Sequence, residues 1–438
     1  MGETRPSPHQ QNALRFSLFA LIFLYLILPA TQLALYLQEQ TLLSVGEVLN
    51  GAASIFGFHW LFANIIVAAK IPWLQKRLPY DKRIRFHTLA SLGLLVAVAY
   101  HAVYKIVSGR EIDILSWMLL AIMILFIGLA ILWVPALGTV TLQQRVLALL
   151  HRTKLFSYDT SKSIHKVLSL VLIPVVILHV GKTDLFSDVP PLSTLAYLAV
   201  FGVALVLYLL PKTGIFRTWA KVVKVEQWND IVVIEFIPEK PYRYKSGQFF
   251  FLRVKRNNGH TEEHPFSFLS NPAEPTLSLA ARAVGDFTQE LKTLQPGSRI
   301  AISSGFGSFG PRTEPAICFI ASGIGIVPFL SILKDLHAQG DSRPIQFYIA
   351  VNDLHEIPEY DKLQQIASSM PHLQLRILVF SVDGLRYSTA YFKSTLQDPE
   401  KFVYYLCSSP RVRNDVIHSL QELGISRQAI HYENFTLS

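Results

Sequence analysis

The sequence predicts a membrane-embedded bundle of α-helices followed by a soluble half that is rich in β-strands. The chain has 438 residues, of which 51% are hydrophobic and only 16% are charged. Up to about Leu210 the apolar residues form runs near membrane-spanning length, whereas after Pro211 strands, glycines and prolines alternate. The basic residues lie mainly in short loops between the apolar runs. A membrane protein therefore explains the formal charge of +9 better than a nucleic-acid-binding protein does.

Six apolar segments have the roughly 17–25 residues that a transmembrane helix needs. They cover residues 14–37, 48–69, 85–105, 115–134, 163–180 and 192–210. The loops after the second and fourth segments are rich in lysine and arginine, and the loops at the opposite ends carry few. The positive-inside rule thus predicts that the N-terminus and the soluble half are cytoplasmic. Only two cysteines occur, which excludes zinc clusters, iron–sulfur clusters and a disulfide framework.

Four histidines form two matched pairs in the apolar half. His87 and His101 are 14 residues apart in the third segment, and His165 and His179 are 14 residues apart in the fifth. Residues at this spacing on a helix differ by about 40° in direction and about 21 Å in height, so each pair shares one helix face near opposite membrane surfaces. Because the two segments run in the same direction, His87 can face His165 and His101 can face His179.

Two facing imidazoles at each level predict two bis-histidine haem sites stacked across the bilayer. Gly93 would let a flat macrocycle approach the third helix. The alternative is that the histidines only form polar contacts between helices, and the repeated spacing favours haem over that alternative. His59 has no such partner, so we expect a polar helix contact or an outer-site polar group there rather than a ligand.

The soluble half contains motifs typical of nucleotide binding. "LSLAARAVGDFTQEL" predicts a strand, a turn and a helix start, where Arg282 and the amide of Gly285 suit a phosphate. "AICFIASGIGIVPFLSIL" predicts an apolar strand, a Gly-x-Gly turn and a helix that Pro328 opens, against which a dinucleotide pyrophosphate can lie. Alone, that turn also fits a plain strand–helix connection. "FVYYLCSSP" repeats the pattern of a strand followed by a turn and contains Cys407.

Together, the spaced histidines and the motifs "HPFSFLS", "RAVGDFT", "GIGIVP", "YYLCSSP" and "YENF" occur in the order seen in the NADPH oxidase and ferric reductase superfamily. The chain most resembles a compact prokaryotic NADPH oxidase. The resemblance implies a six-helix, ferric-reductase-type haem domain in residues 1–212, an antiparallel β-barrel FAD-binding domain in 213–313 and a parallel α/β NAD(P)H-binding domain in 314–438. The last two would form a ferredoxin-reductase-like module. The implied location is the bacterial inner (plasma) membrane, with the N-terminus and this module in the cytoplasm.

The resemblance also assigns roles to single residues. Four would lie along the flavin isoalloxazine, with the last of them near flavin N5: His264, Pro265, Phe266 and Ser267. Three would hold the FAD pyrophosphate: Arg282, Gly285 and Thr288. Three would bind the nicotinamide dinucleotide: Gly323, Gly325 and Pro328. The catalytic positions would be Ser267, Cys407 near the nicotinamide and Phe435 over the flavin ring. The metal ligands would be His87, His101, His165 and His179.

The resemblance leaves open whether the preferred nucleotide is NADPH or NADH. Asn352 stands where many relatives that use NADPH place an arginine, whose fork suits a 2′-phosphate. Arg386, with Ser381 or Tyr387, would supply that contact instead. The implied cofactors are FAD, two haem b groups and NADPH, with NADH as the alternative.

The implied function is electron transfer from cytoplasmic NAD(P)H through FAD and two haems to an acceptor across the membrane. Oxygen would yield superoxide. The alternatives are a ferric-chelate reductase and a haem-bearing membrane subunit that reduces a periplasmic protein. Lys82, Arg83 and Arg85 would pair with haem propionates. The expected partners are the lipid bilayer, NAD(P)H and oxygen or a ferric chelate, without nucleic acid or an obligatory regulatory subunit.

Overall fold

The computed structural model describes residues 18–39, 43–69, 71, 74, 80–110, 112–133, 158–181, 191–255, 261–384 and 386–433. The chain divides into two compact units, whose main boundary falls between Thr213 and Gly214. The first unit is helical, and the second combines two β-sheets with shorter helices. The domain ranges 1–212, 213–313 and 314–438 stay predictions.

The helical unit forms long helices in the same order as the apolar segments of the sequence. These are α1 (Leu18–Gln38), α2 (Val45–Ala68), α3 (Tyr80–Val107), α4 (Ile114–Trp133), α5 (Tyr158–Gly181) and α6 (Pro191–Leu209). Within the described residues, four helices are long and apolar enough to cross a membrane: α1, α2, Phe86–Val107 of α3 and Ile164–Gly181 of α5. The described apolar stretches of the other two are shorter, at Ile114–Phe126 and Tyr197–Leu209. The count of six spans therefore stays a prediction.

Helix α2 packs against several of its neighbours in this unit. It begins with a capping box, in which Ser44 Oγ accepts from the Glu47 amide and the Glu47 carboxylate accepts from the Ser44 amide. Its aromatic face forms a buried cluster with α5 and α6, made of Phe58, Phe62, Ile66, Ile173, Tyr197 and Ala204. Helix α3 approaches α2 closely at Gly93, where a Cβ atom would lie 3.1 Å from the ring of Trp60. Gly93 thus serves helix packing against Trp60, which differs from the predicted approach of a macrocycle.

The first sheet of the second unit is antiparallel and has six strands. They are β1 (Arg217–Trp228), β2 (Ile231–Pro238), β3 (Phe249–Lys255), β4 (Thr261–Ser267), β5 (Leu277–Arg282) and β6 (Arg299–Ser303), in the order β4-β3-β6-β1-β2-β5. Directly after β4, Phe268 forms an antiparallel bridge with Leu279 of β5, so the two edges of the sheet meet there. A short helix, α7 (Asp286–Leu291), follows β5. Alternate strand residues such as Val222, Ile234 and Phe250 fill one shared core.

The second sheet is parallel, with five strands in the order β11-β10-β7-β8-β9. The strands are β7 (Ile317–Ser322), β8 (Ile345–Val351), β9 (Leu373–Val379), β10 (Val403–Cys407) and β11 (Ile430–Tyr432). The helices between and after them are α8 (Val327–Ala338), α9 (Tyr360–Ser369), α10 (Phe380–Asp383), α11 (Thr389–Thr395) and α12 (Pro410–Glu422). The chain runs outward from β7 to β9 and then returns to the other side of β7. This reversal opens a crevice between the carboxyl ends of β7 and β10, where ligands of such sheets bind.

Candidate functional site

The crevice of the parallel sheet is lined by the Gly-x-Gly turn and by Cys407. Strand β7 ends at Ser322, a 3₁₀ turn covers Gly323–Ile326, and α8 begins at Val327. Ala321 pairs with Cys407 across the two parallel strands, so the turn and the thiol stand at the same edge of the sheet. A Cβ atom on Gly325 would lie only 2.2 Å from the Cys407 carbonyl oxygen. Glycine is therefore required there by close approach.

The other two residues of this motif have different local reasons. Gly323 has a φ of +54°, a left-handed conformation that favours glycine, and nothing lies within 4 Å of a Cβ atom built there. Pro328 is buried in the first turn of α8, where the missing amide proton costs no helical hydrogen bond. The structure therefore brings Gly323, Gly325 and Pro328 together beside Cys407. Their contact with a nucleotide stays a prediction.

Cys407 is fully buried, and a carboxylate that the sequence prediction missed lies close to it. Burial raises the pKa of the Cys407 thiol well above its ordinary value, and the negative charge of Glu433 raises it further. Glu433 follows β11, and its amide donates to the Leu406 carbonyl at 3.3 Å. The only sequence signal for this residue is the terminal "YENF". Phe435, the predicted flavin cover in the same motif, lies outside the described residues.

Strand β4 distributes the four predicted flavin residues between two faces. His264 and Phe266 point towards Phe287 of α7, with ring centroids 4.1 Å and 6.1 Å away. Since successive strand residues point to opposite faces, Pro265 and Ser267 belong to the other side. The four side chains thus do not line one surface. A flavin that runs along β4 would meet some of them through side chains and the others through the backbone.

The face that carries Ser267 continues towards the nucleotide crevice. Ser267 pairs directly with Phe249 of β3, and cross-strand partners share a face. A Cβ atom on Gly307 would lie 3.3 Å from the Phe249 ring and 3.3 Å from Glu433 Oε1. Gly307 therefore sits between the Phe249 ring and the Glu433 carboxylate. Ser267 is thus linked to Glu433 through Phe249 and Gly307, and these contacts connect the antiparallel sheet with the parallel sheet.

The predicted phosphate residues are already engaged with protein groups. The amide of Gly285 donates to Thr288 Oγ1 at 3.0 Å, so these two residues are together as predicted. Arg282 at the end of β5 forms an ion pair with Asp230 at 2.8 Å and a second one with Glu356. A pyrophosphate would have to share or replace these carboxylates to bind the guanidinium. Phosphate binding by the three residues stays a prediction.

The region of the predicted 2′-phosphate contact lies where β8 and β9 end. Asn352 donates to Glu356 from its amide at 3.1 Å and from Nδ2 at 2.9 Å, and its carbonyl accepts from the Ser381 amide at 3.3 Å. The exposed guanidinium of Arg386 stacks 4.8 Å from the ring centroid of Phe380. Tyr387 instead donates its hydroxyl to the carbonyl of Ala321, so its polar atom has a structural role.

In the helical unit, the rings of the inner histidine pair lie at a separation that suits a shared metal ion. The ring centroids of His87 and His165 are 6.4 Å apart, with the ring planes at 82°. Two metal–nitrogen bonds of about 2 Å span about 4 Å. The remaining distance is close to the radii of two imidazole rings, so the separation of the rings matches that of two ligands of one iron. His101 and His179 are close enough to interact electrostatically, and their facing arrangement stays a prediction.

The hydrogen bonds of the ring nitrogens set the orientation of two of these histidines. His87 Nδ1 lies 3.2 Å from the carbonyl oxygen of Asn64 on α2. His179 Nδ1 lies 3.3 Å from Ser116 Oγ on α4. In both cases the other nitrogen, Nε2, is left to face a metal, which is the usual arrangement of histidine ligands. By contrast, His59 is 1% exposed, bonds to the Ile55 carbonyl at 2.9 Å and contacts the Tyr197 ring of α6, as expected for a helix contact.

Arg83 contacts the end of α2, and its pairing with haem propionates stays a prediction. Its guanidinium is fully buried and donates to the carbonyls of Val67 at 3.2 Å and Ala69 at 2.5 Å. These carbonyls belong to the last turn of α2, where helical partners are missing and a cation is favoured. Arg83 therefore caps α2. The side chains of Lys82 and Arg85 lie outside the described part of the chain.

Comparisons with known proteins cover the second unit. Residues 216–301 match the family of FAD-binding domains, and residues 315–390 match the ferric reductase NAD binding domain. The toluate 1,2-dioxygenase electron transfer component of Pseudomonas putida is 25% identical over 198 residues, which cover 44% of this chain and 59% of that protein. Dual oxidase 2 of Rattus norvegicus is 36% identical over 127 residues, covering 26% of this chain and 8% of that protein. Respiratory burst oxidase homolog protein E of Arabidopsis thaliana is 35% identical over 133 residues, covering 24% and 14%. The chain thus spans less than two thirds of each of these relatives.

Proposed function

We propose that this chain carries electrons from NAD(P)H across a membrane to an acceptor on the other side. The premise is that the chain is an oxidoreductase of the NADPH oxidase and ferric reductase family. The observation that carries the proposal is the His87–His165 pair, whose 6.4 Å ring separation fits an iron, in the same chain as a ferric-reductase-type dinucleotide module. Soluble reductases have no need of paired histidines between apolar helices. The antiparallel sheet, whose edges meet at Phe268 and Leu279, would be the FAD barrel.

Four histidines would hold two b-type haems: His87 and His165 at the inner level, His101 and His179 at the outer level. When bound, the haems supply one-electron carriers at two depths of the bilayer, and FAD supplies the step from hydride to single electrons. The 14-residue spacing separates the two ligands on each helix by about 21 Å. In this arrangement α3 and α5 would each carry one ligand of each haem.

At the dehydrogenase end, the side chains shape the position of the nicotinamide. Gly325 lets the turn lie against Cys407, and a dinucleotide pyrophosphate would lie at the N-terminus of α8. Cys407 keeps its proton at neutral pH because burial raises the pKa of its thiol, so it offers a neutral, polarisable contact and not a nucleophile. Ser267 and Glu433 are the polar groups proposed to border the flavin and the nicotinamide. Phe435 remains a predicted cover of the flavin ring.

Oxygen is the proposed acceptor, with superoxide as the product, since two of the similar proteins are oxidases by name. A ferric-chelate reductase is the second candidate, because the nucleotide domain matches the ferric reductase NAD binding domain. Both acceptors would take electrons at the edge of the outer haem, because His101 and His179 would both be ligands of its iron. Reduction of a periplasmic protein remains the third candidate. The site is proposed to lie in a bacterial inner membrane, with the dehydrogenase module in the cytoplasm.

Haem stoichiometry of the purified full-length protein tests the electron path. We expect two b-type haems per chain, and we expect His101→Leu to lose one haem and to keep FAD. NAD(P)H should still reduce the remaining haem, while reduction of the external acceptor stops. His59→Leu is the matched control, because His59 is an intramembrane histidine that bonds to its own helix, and it should retain both haems. Two haems in His101→Leu would contradict the ligand assignment.

The acceptor is decided by two parallel assays on the same preparation. Superoxide formation is measured as the signal that superoxide dismutase abolishes, and ferric reduction is measured with an Fe(II) chelator under anaerobic conditions. A dismutase-sensitive signal that accounts for NAD(P)H consumption identifies the oxidase. Rapid anaerobic Fe(II) formation with little superoxide identifies the ferric reductase.

A further inference from the structure

Within the described residues, the outer histidine His179 ends a chain of side-chain hydrogen bonds. Ser116 Oγ lies 2.6 Å from Asp113 Oδ1 and 3.3 Å from His179 Nδ1. The Ser116 amide also donates to Asp113 Oδ1, at 2.9 Å, which holds the carboxylate in place at the start of α4. The three residues thus form a carboxylate–hydroxyl–imidazole relay that links α4 to α5.

The direction of each hydrogen bond in this relay is fixed by chemistry. An ionised carboxylate only accepts, so the single Ser116 proton must go to Asp113. The hydroxyl can then only accept from the imidazole, which means that His179 carries its proton on Nδ1. Nε2 is therefore the nitrogen that remains for a metal. The relay fixes the tautomer of His179.

The inner level has a different arrangement. His87 Nδ1 faces the carbonyl of Asn64, which is a neutral backbone acceptor. At the outer level, the Ser116 hydroxyl is a better acceptor than a free hydroxyl, because its own proton is bound by Asp113 and hydrogen bonds in a chain polarise one another. It withdraws the Nδ1 proton further, which makes Nε2 a stronger electron donor to a metal. Stronger donation stabilises ferric iron over ferrous iron and lowers the reduction potential.

We propose that Ser116 and Asp113 are positioning residues that lower the reduction potential of the outer haem, and so make it a stronger one-electron donor to the external acceptor. This inference rests on the proposed function. Asp113 is exposed, so solvent screens its charge, and the positive charge of Lys105 also acts on His179 and opposes it. The hydroxyl, which touches the imidazole directly, therefore carries the larger share of the effect.

Potentiometric titration of the haem absorbance in the full-length holoprotein tests the relay. We expect Ser116→Ala to raise one of the two haem midpoints and leave the other unchanged. The expected size is about a tenfold change in the ratio of oxidised to reduced haem at a given potential, which is about 59 mV for one electron. Ser116→Thr, which keeps the hydroxyl, should restore the wild-type midpoint. Asp113→Asn should give a smaller shift in the same direction.

Ser54→Ala is the matched control, because Ser54 is a partly buried helical serine whose hydroxyl bonds only to the Gly51 carbonyl. Both of its midpoints should equal those of the wild type. Two retained haems with unchanged midpoints in Ser116→Ala would overturn the relay and leave the proposed function intact. If Ser116→Ala loses the outer haem, Asp113→Asn decides: an unchanged midpoint there also overturns the relay. A wild-type protein that binds no haem would instead overturn the proposed function.

Discussion

Replacement of Gly325 by alanine should impair hydride transfer far more than it destabilises the protein. A Cβ atom at this position would lie 2.2 Å from the Cys407 carbonyl oxygen and 3.1 Å from Cys407 Sγ. Carbon and oxygen normally approach to about 3.3 Å or more, so the turn and the end of β10 must separate by about 1 Å. Gly325 does not have a positive φ, so alanine can adopt its backbone conformation. The steric clash is therefore the main effect of the substitution.

The size of the effect follows from this displacement. Overpacking of a well-packed region costs about 1–3 kcal/mol of the free energy of unfolding. A shift of about 1 Å between reacting groups lowers a rate by about 100-fold. We therefore expect NAD(P)H to reduce bound FAD about 100-fold more slowly in Gly325→Ala. The assay is anaerobic stopped-flow of the full-length protein at the flavin absorbance, which does not depend on the haems or on the external acceptor.

Gly340→Ala provides a control with a comparable loss of stability. Gly340 has a φ of +67° with nothing within 4 Å, and it follows the end of α8 that points away from the crevice. A left-handed alanine costs about 1–2 kcal/mol, without any steric displacement of the site. FAD reduction should therefore stay at the wild-type rate in this variant. Wild-type FAD reduction in Gly325→Ala would refute the argument that the turn must touch Cys407.

Three further predictions test other parts of the chain. Arg386→Ala should raise KM for NADPH about 10–100-fold and leave KM for NADH unchanged, since a charge-assisted hydrogen bond contributes about 1.5–3 kcal/mol. Equal changes in KM for NADPH and for NADH would show that Arg386 does not contact the 2′-phosphate. Arg83→Met should lower the free energy of unfolding by about 1–3 kcal/mol at unchanged haem content, because two carbonyls of α2 lose their donor; loss of haem at an unchanged melting temperature would indicate a propionate contact instead. Cys318 and Cys407 should resist thiol reagents in the native protein and react after unfolding, because burial raises the pKa of both thiols. Since unfolded thiols titrate near about pH 8.5, the stability that these two contribute is fully present below that pH and is lost as pH rises through the folded pKa. Unfolding free energies measured from neutral to alkaline pH check this, and a stability that rises above pH 8.5 would contradict it.

The sequence was most informative where one residue type recurs at a fixed spacing. His87 is 14 residues from His101, and His165 is 14 residues from His179. Residues at this spacing share one face of a helix, which predicted that His87 and His165 face each other, as the structure shows. The Gly-x-Gly turn was also predicted, because a strand followed by glycines and a proline has few local conformations. The contact of Arg83 with α2 was not predicted. Nothing local in the sequence reveals that its side chain reaches the last carbonyls of another helix, which depends on the packing of α3 on α2.

The polar groups proposed to border the hydride path show why such a site can be recognised only in part from a sequence. Ser267, Gly307 and Glu433 are far apart along the chain and carry no common spacing. Two independent pairings bring them near one another. The antiparallel ladder puts Ser267 on the face of Phe249, and the parallel pairing of β10 with β11 brings Glu433 to the carbonyl of Leu406. Gly307 can lie between the Phe249 ring and the Glu433 carboxylate only because it has no side chain, with its φ of +92°. A strand period of two predicts which residues of β4 share a face, but it does not predict which distant strand that face meets. The order of the strands in the sheets determines which strand that face meets. This order brings the Glu433 carboxylate and the buried, protonated Cys407 thiol to the end of β10, where the nicotinamide is proposed to bind.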